Sequence, residues 1–407
     1  MGSLIRFELR KILKNRAGMV ACALALVMLM GITVLDVFTT ETYDQSGKTC
    51  VGLEALDAYR ARQESHAGKL DAARVAADLA IYDKASELAK GGEPAYSSMS
   101  SEQVLDTYGF EFWHDTYAVL QDTYFRRLHQ VMLTSDETYA KGLDQAMTAR
   151  LNLDLDLGFR GRYSYSPSER ALWQEKLERI ESPLEWGYAD GWVSAFNWTT
   201  FLGFAVAALC VALSGVFSSE YQNRTDSIVL PTKLGKSDLP LAKVVASLIF
   251  TTVYWWIVVA AMMGGIFAFF GTEGAGLPVQ VSGFTNLYPL TIGKATLLRC
   301  LLGYVVALGM AALTLLLSSK VRSAVVPAIV PVSLMLLGLV GIFFNPTAKL
   351  AGLLPLGGMT WSYMQTVSYA VGPLALDLPK VLLLLYGVML LALTPLAMRT
   401  FTRHQVA

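Results

Sequence analysis

Six stretches of this chain are long and apolar enough to form helices that cross a membrane. A spanning helix needs about 20 consecutive, mostly apolar residues, because only a continuous helix satisfies its backbone hydrogen bonds in lipid. Only 16% of the 407 residues are charged, against about 25% in soluble proteins. The predicted fold class is therefore an all-α membrane protein with six transmembrane helices, at Gly18–Phe38, Trp198–Phe217, Val244–Phe270, Ala295–Ser318, Ala324–Phe344 and Val381–Met398.

Two charged residues interrupt these stretches, and both lie near a predicted membrane face. Asp36 is close to the end of the first stretch, and Arg299 is one turn inside the fourth. Long side chains in such positions reach the headgroup layer, so we expect both charges at the interface. The first stretch is too long for the apolar part of a signal peptide, and no small-residue cleavage site follows it. We interpret it as a retained span.

Basic residues in the short connections predict the orientation of the spans. On one side the short connections hold only Lys294, Lys349 and Lys380, with Arg299 added if its side chain reaches the interface. The connections and termini of the other side are much more basic, which predicts that both termini are cytoplasmic. That side holds Arg6, Arg10, Lys11, Lys14, Arg16, Arg224, Lys233, Lys236, Lys243, Lys320, Arg322, Arg399 and Arg403. The expected location is a bacterial plasma membrane.

Residues 1–17 have the pattern of an amphipathic helix that lies in the inner headgroup layer, as an elbow before the first span. Apolar residues share one helical face and basic residues share another. The alternative is a polar tail that only follows the positive-inside rule. The apolar set is Ile5, Leu9, Ile12 and Leu13, and the basic set is Arg6, Arg10 and Lys14.

Residues 39–196 form an acidic region between the first two spans. They include 16 Lys and Arg and 26 Asp and Glu, a net charge of −10, and are numerous enough for an extracytoplasmic domain with its own core. Aromatic residues on the apolar faces favour core packing or a ligand surface. The spacing predicts a mainly helical domain, with one long helix or a hairpin over Leu53–Tyr82, a helix over Ser101–Leu128, and a third over Leu172–Ile180 capped by Ser166 or Ser168.

No residue pattern predicts a catalytic, cofactor or metal site. The cysteines lack a CxxC spacing, the histidines lack HExxH and HxH patterns, and Asp154–Asp156 lacks the Gly and Glu of a calcium loop. Gly235–Ser237 resembles the end of a phosphate loop, but Leu230 stands where that motif needs Gly. We predict that the chain is not an enzyme, has no cofactor of its own and binds no nucleic acid.

The polar connection after the second span, residues 218–243, has the composition of a docking surface for a soluble partner. It carries charges of both signs. Turn-forming residues divide it into short elements, namely Pro231, Gly235 and Pro240. The alternative is a loop that only fixes the topology.

Together these features resemble the permease subunits of ABC-2 type ABC transporters, in the subgroup with a large extracytoplasmic domain. That family has a basic elbow helix, six spans with both termini inside, and a hydrophobic Pro/Gly segment before the last span. Here that outer, re-entrant segment is 345–379. The departures are Lys236 where Arg is frequent, unusual positions of Pro231 and Gly235, and an outer domain that only a subset shares. The matching loop positions are Glu220, Thr225, Ile228–Leu230, Pro231, Lys236, Ser237 and Lys243.

The resemblance implies export driven by ATP hydrolysis, with ATP–Mg bound to a separate ABC ATPase subunit. It also implies a pathway between this chain and a second permease copy or a paralogue, within the membrane lipid. The loop after the second span would pass closure of the ATPase to the spans. The implied docking residues are Glu220, Arg224, Thr225, Asp226, Lys233, Lys236, Asp238 and Lys243.

The middles of the six stretches lack acidic residues and histidine, which ion-coupled carriers usually keep deep in the membrane. Small residues there permit close helix packing, and Pro327 and Pro331 should bend the fifth span. An apolar pathway favours an amphipathic or hydrophobic substrate that is peptide-like or lipid-like. The alternatives are a membrane-anchored sensor or binding module that uses its outer helices, a scaffold or assembly factor, and a secondary carrier.

The predicted topology has a direct test at the middle of the acidic region. A cysteine introduced at Leu120 should react with an impermeant thiol reagent in intact cells, because residues 39–196 are predicted to lie outside. Labelling of this cysteine only after permeabilisation would invert the orientation.

Overall fold

The computed structural model describes residues 1–43, 48–77, 103–104, 107, 143–158, 163–229, 231–232, 235, 237–343 and 348–403. The chain is mostly helical. Numbered in order over this part, the helices are α1 (Gly2–Lys14), α2 (Arg16–Thr39), α3 (Leu53–Ser65), α4 (Leu143–Leu157), α5 (Pro167–Glu178), α6 (Asp190–Trp198), α7 (Leu202–Leu213), α8 (Gly215–Gln222), α9 (Asp226–Val229), α10 (Asp238–Phe270), α11 (Ile292–Lys320), α12 (Val325–Phe343), α13 (Ala348–Leu353), α14 (Pro355–Trp361) and α15 (Leu378–Thr402).

Three small antiparallel sheets of two strands each lie between the helices in the described residues. Strand β1 pairs with β2, β3 with β4, and β5 with β6; in the third hairpin Ser368 is opposite Asp377. The strands are β1 (Glu41–Tyr43), β2 (Thr49–Val51), β3 (Gly68–Lys69), β4 (Glu185–Trp186), β5 (Ser368–Val371) and β6 (Leu374–Asp377).

Five helical segments of the described part are long and apolar enough to cross a membrane: α2, the segment Asp190–Gln222, α10, α11 and α15. The prediction of a mostly helical chain with several apolar, membrane-length helices is thereby confirmed. The fifth predicted span corresponds to α12, whose apolar stretch Val325–Gly341 is shorter. Pro331 lies inside that helix.

Two of these segments extend past their predicted ends, which decides where two charged residues lie. The segment that begins at Asp190 joins α6, a 3₁₀ turn, α7 and α8, and continues to Gln222. Helix α10 begins at Asp238, before the predicted start at Val244. The connection between them is therefore residues 223–237, and Glu220 and Lys243 lie on helices rather than in a loop.

Helix α11 lies at the centre of the bundle and packs along α15, α7 and α10. The two helices α11 and α15 approach each other closely at Gly309. A Cβ atom at that position would lie 2.8 Å from Cδ1 of Tyr386 and 2.9 Å from its carbonyl oxygen. Only glycine fits there, and the Tyr386 ring is buried against the helix.

Arg299 corrects the expectation that its charge lies at the membrane interface. The residue is 3% exposed, and its Nη2 donates to the carbonyl oxygen of Met359 at 2.8 Å and to Oγ1 of Thr200 at 3.1 Å. Met359 lies near the end of α14, where helix carbonyls lack intrahelical partners and carry partial negative charge. These acceptors hold the guanidinium inside the protein.

The described parts of the acidic region agree in part with the predicted helices. Helix α5 has Ser166 as its N-cap, in a capping box with Glu169. Helix α3 ends at Ser65, and β3 separates it from helical residues 72–77. Leu53–Tyr82 is therefore not one long helix, and residues 78–82 lie outside the described residues. The predicted helix over Ser101–Leu128 lies almost entirely outside the described residues.

The predicted segment 345–379 forms α13, α14 and the β5–β6 hairpin, and α5 is fastened to it by polar contacts. We call these contacts the outer clasp. Oε1 of Glu169 lies 3.0 Å from Nζ of Lys349, and Oδ2 of Asp377 lies 2.5 Å from Nζ of Lys176. Between these pairs Trp173, fully buried, donates from Nε1 to Oγ of Ser368 at 3.1 Å. The clasp therefore joins the acidic region to the start of α15.

The outer clasp should give stability a distinctive dependence on pH. Burial lowers the pKa of Lys176 to about 8 despite the carboxylate of Asp377, whereas the ordinary lysine value is 10.5. Between pH 8 and 10.5 the unfolded chain binds more protons at Lys176 than the folded chain does. The unfolding free energy therefore rises as pH rises through this range and falls as pH drops to 8.

Lys176→Arg, which stays charged throughout, should lack this contribution. The measurement is the unfolding midpoint in detergent at pH 7.5 to 10, as the difference between the two proteins. If the unfolding midpoints of the two proteins changed with pH in parallel, the lowered pKa of Lys176 would be contradicted.

Candidate functional site

The ends of α1, α8 and α10 meet at one end of the bundle, and charged side chains are buried where they meet. Helix α1 packs along α10, and Ile12 is 5% exposed on that face. Glu8 lies on the same face, one turn before Ile12, and is 3% exposed. A carboxylate in such a place requires a partner, because an unpaired buried charge is strongly destabilising.

Lys243 supplies the partner. Its side chain has no exposed surface, and its Nζ donates to Oε2 of Glu8 and to Oε1 of Glu220, each at 2.8 Å. A third bond runs to the carbonyl oxygen of Val216 at 3.0 Å. All three ammonium hydrogens thus have acceptors, one from α1 and two from α8. The side chain joins three helices at a single atom.

Lys11 balances the second carboxylate. Its Nζ donates to Oε1 of Glu220 at 2.5 Å and lies 3.9 Å from Oε1 of Glu8. Burial by itself would lower the pKa of Lys11, but the hydrogen bond to Glu220 and the charge of Glu8 outweigh it, so the pKa is raised. We call these four residues the buried network, in which Glu8, Glu220 and Lys243 are buried and Lys11 is half-exposed; it has two positive and two negative charges and is neutral overall.

The buried network continues into the connection after α8. Arg224 has a φ of 53°, a left-handed conformation that ends helices. The turn brings the backbone N–H of Thr225 to the carbonyl oxygen of Glu220 at 3.0 Å, and the Thr225 hydroxyl also donates to the Glu220 carboxylate. The short helix α9 follows directly. Ile228 in α9 is 72% exposed, so an apolar side chain projects from the connection.

Helix α11 is fixed to the same end through Ser318. Its hydroxyl donates to the carbonyl oxygen of Ser214 at 2.7 Å and accepts from the backbone N–H groups of Phe217 and Ser218 at 3.0 Å. Tyr221 adds a bond to the carbonyl oxygen of Ser319 at 3.1 Å. Four helices of this end are therefore joined by buried polar contacts.

The eight predicted docking residues divide into three groups. Glu220, Thr225 and Lys243 are brought together, but Glu220 and Lys243 are 5% and 0% exposed, so their side chains face the interior rather than a partner. Arg224 is exposed, and Asp238 is half-exposed at the start of α10. Asp226 opens α9, while Lys233 and Lys236 lie outside the described residues.

On α1 the three predicted interfacial residues, Arg6, Arg10 and Lys14, are exposed. The sequence reasoning missed Glu8 as a functional residue and counted Lys11 only as a basic charge. The available signal was position: Glu8 is the single acidic residue of α1 and falls three residues after Ile5 and four before Ile12, on the apolar face. An acid there predicts a buried cation on the helix that covers it.

The charges of the buried network are all satisfied within the protein. Every charge in the buried network has a partner of opposite sign within 4 Å. Across the described residues, no group of His, Cys, Asp or Glu side chains has the geometry to hold a metal ion. Comparisons of the chain with protein families, with curated proteins and with solved structures found no match.

The buried network should respond unequally to single and paired substitutions. Lys243→Met leaves two buried carboxylates to one lysine and should lower the unfolding free energy by about 3–5 kcal/mol. Adding Glu8→Leu removes the surplus charge and leaves Lys11 paired with Glu220, so the double variant should be more stable than Lys243→Met alone.

The measurement is unfolding by sodium dodecyl sulfate in mixed micelles. Lys380→Met removes an exposed lysine near Asp377 and serves as the control with a small effect. A double variant less stable than Lys243→Met would contradict the charge argument.

Proposed function

We propose that this chain is the membrane-spanning permease subunit of an ABC exporter of the ABC-2 type. ATP hydrolysis takes place on a separate subunit, and an amphipathic or hydrophobic, peptide-like or lipid-like substrate moves outward. The observation that carries this proposal is the connection between α8 and α10, which is short, exposes an apolar side chain, and is held through Glu220 to α1 and α10. A partner that moves such a connection moves three helices with it.

The proposal assigns different roles to the residues around the connection. Exposed Arg224 and Ile228 contact the ATPase, together with Asp226, Lys233, Lys236 and Asp238. Glu220, Thr225 and Lys243 are positioning residues, because the first and last are buried and bonded inside the protein. The three therefore carry motion inward rather than bind the partner themselves.

The proposal also includes a topology. Helix α12 is the additional span beside the five longer segments, with its proline-containing stretch bent in the membrane. Both termini are cytoplasmic in a bacterial plasma membrane, and α1 is the interfacial elbow helix. A second copy or a paralogous permease completes the pathway.

Polar side chains in the long helices support an apolar pathway. The buried hydroxyls of Ser247, Thr251 and Thr314 donate to carbonyl oxygens one turn earlier in their own helices. Their donors are thus already used within the helix. A substrate that passes these helices meets mostly hydrocarbon, which favours amphipathic or hydrophobic molecules.

A second candidate is a membrane-anchored sensor or binding module, favoured by a cavity of about 520 Å³ between α4 and α5. Apolar and polar side chains both line it, which is usual for ligand sites. A sensor would bind its ligand without any ATPase partner. The lining includes Met147, Leu151, Leu177, Asp144 and Asn152.

Purification in mild detergent separates the two candidates. The exporter proposal predicts that a soluble ATPase with a complete phosphate-loop motif co-purifies with this chain. Ile228→Asp should reduce recovery of the ATPase about tenfold or more, because loss of a central apolar contact commonly costs about 2 kcal/mol at an interface. Charge reversal at both Lys233 and Lys236 should act in the same direction.

Val371→Asp is the matched control, because Val371 is an exposed apolar residue on the β5–β6 hairpin at the other end of the bundle. Equal recovery of the ATPase with Ile228→Asp and Val371→Asp would contradict the assignment of the docking surface to the connection after α8. No ATPase in any preparation would favour the sensor.

A further inference from the structure

The exposed face of α1 has a chemistry of its own, opposite to the face that carries Glu8. Arg6, Arg10 and Lys14 form an exposed basic strip along it. Phe7 and Leu13, which are 57% and 53% exposed, flank this strip on its two sides. A ligand that fits must offer negative charge beside hydrocarbon, and a membrane containing anionic phospholipid offers both.

The same helix supplies half of the buried network. Glu8 bonds to Lys243 at 2.8 Å and Lys11 bonds to Glu220 at 2.5 Å. Lys11 also lies over the ring of Phe7, with its Nζ 5.7 Å from the centroid. The lipid-facing strip and the buried charges are therefore parts of one 13-residue helix, and α1 cannot shift without changing the distances in the network.

Glu220 is the point where the network reaches the connection. It accepts hydrogen bonds from Lys243 and Lys11 through one carboxylate oxygen and from the Thr225 hydroxyl through the other. Thr225 immediately precedes α9. A continuous chain of hydrogen bonds thus runs from Glu8 through Lys243 and Glu220 to the helix that carries Ile228.

We propose that anionic phospholipid headgroups bound by the exposed face of α1 set the position of α9, with Glu8 as the coupling residue. Lipid composition then regulates the surface that the proposed ATPase meets. The inference rests on the proposed function only for the identity of that partner. The coupling between lipid and α9 is a property of this chain alone.

Thermodynamic linkage defines what the coupling requires. If lipid binding changes the equilibrium of α9, then α9 changes lipid affinity by the same factor. Glu8→Gln keeps the shape of the side chain but removes its charge, so the lipid-facing strip stays intact while the ion pair with Lys243 is lost. This substitution therefore separates binding of the lipid from its effect.

The experiment uses the full chain in nanodiscs of pure phosphatidylcholine or of phosphatidylcholine with 1-palmitoyl-2-oleoyl-phosphatidylglycerol. Ile228→Cys carries an environment-sensitive fluorophore in a background with Cys50→Ser, because the other three cysteines are buried. A protein that carries Cys50→Ser but not Ile228→Cys measures how much fluorophore reacts with the three remaining cysteines. Iodide quenching of the probe reports the exposure of α9, and a spin-labelled phosphatidylglycerol reports lipid binding independently.

We expect phosphatidylglycerol to change the quenching constant in the otherwise unmodified protein. Arg6→Gln, Arg10→Gln and Lys14→Gln together should abolish both lipid binding and this change. Glu8→Gln should keep phosphatidylglycerol binding within about fivefold, the lower range of couplings between linked sites, and lose the change at α9. The matched control removes three other exposed cations from the same end of the bundle, Lys320, Arg322 and Arg403, and should retain both responses.

Two results would overturn the proposal: a full quenching response in the triple glutamine variant of α1, or a full response in Glu8→Gln. The proposal would also be overturned if substitution of Lys320, Arg322 and Arg403 had the same effect in both lipids as substitution of Arg6, Arg10 and Lys14. Loss of any three exposed cations would then be enough to produce the effect. Because the probe needs no ATPase, failure of the exporter proposal would leave these outcomes unchanged and separately readable.

Discussion

An ammonium group with no exposed surface sets the arrangement of one end of this protein. Lys243 is tolerated at that depth only because two carboxylates and a carbonyl oxygen surround its Nζ. Those acceptors come from α1 and α8, so the three helices must meet at this place for any of them to be buried. The short connection after α8, the docking of α1 and the start of α10 all depend on that requirement.

The two ends of the bundle are organised by similar physics and different geometry. At one end a compact group of four charges joins α1, α8 and α10. At the other, the outer clasp spreads its charges along one face of α5, with Glu169 and Lys176 on either side of Trp173. Between the ends, the apolar packing of the long helices is supplemented by a few hydrogen bonds, such as that between the hydroxyls of Thr252 in α10 and Tyr304 in α11 at 2.7 Å.

The sequence was informative wherever local physics decides structure. Apolar length predicted the positions of the long helices, and Ser166 was one of the two predicted caps of α5, because capping involves only neighbouring residues. Burial of charge was not predictable in the same way. Arg299 was expected at the interface, yet carbonyl oxygens from α14, about sixty residues later in the chain, hold it inside. Glu8 and Lys243 are 235 residues apart, so the sequence around Glu8 does not identify Lys243 as the cation that pairs with it.

The contact between Gly309 and Tyr386 limits how α11 and α15 can move. The backbone of α11 has a notch at Gly309 where the ring fits, and the residues one turn away on the same face, Val305 and Leu313, carry larger side chains. Sliding by one turn, about 5.4 Å along the axis, would press one of those side chains against the ring. The two helices therefore pack in a single register, with Tyr386 against Gly309. A rearrangement of the bundle must move them together as one rigid pair.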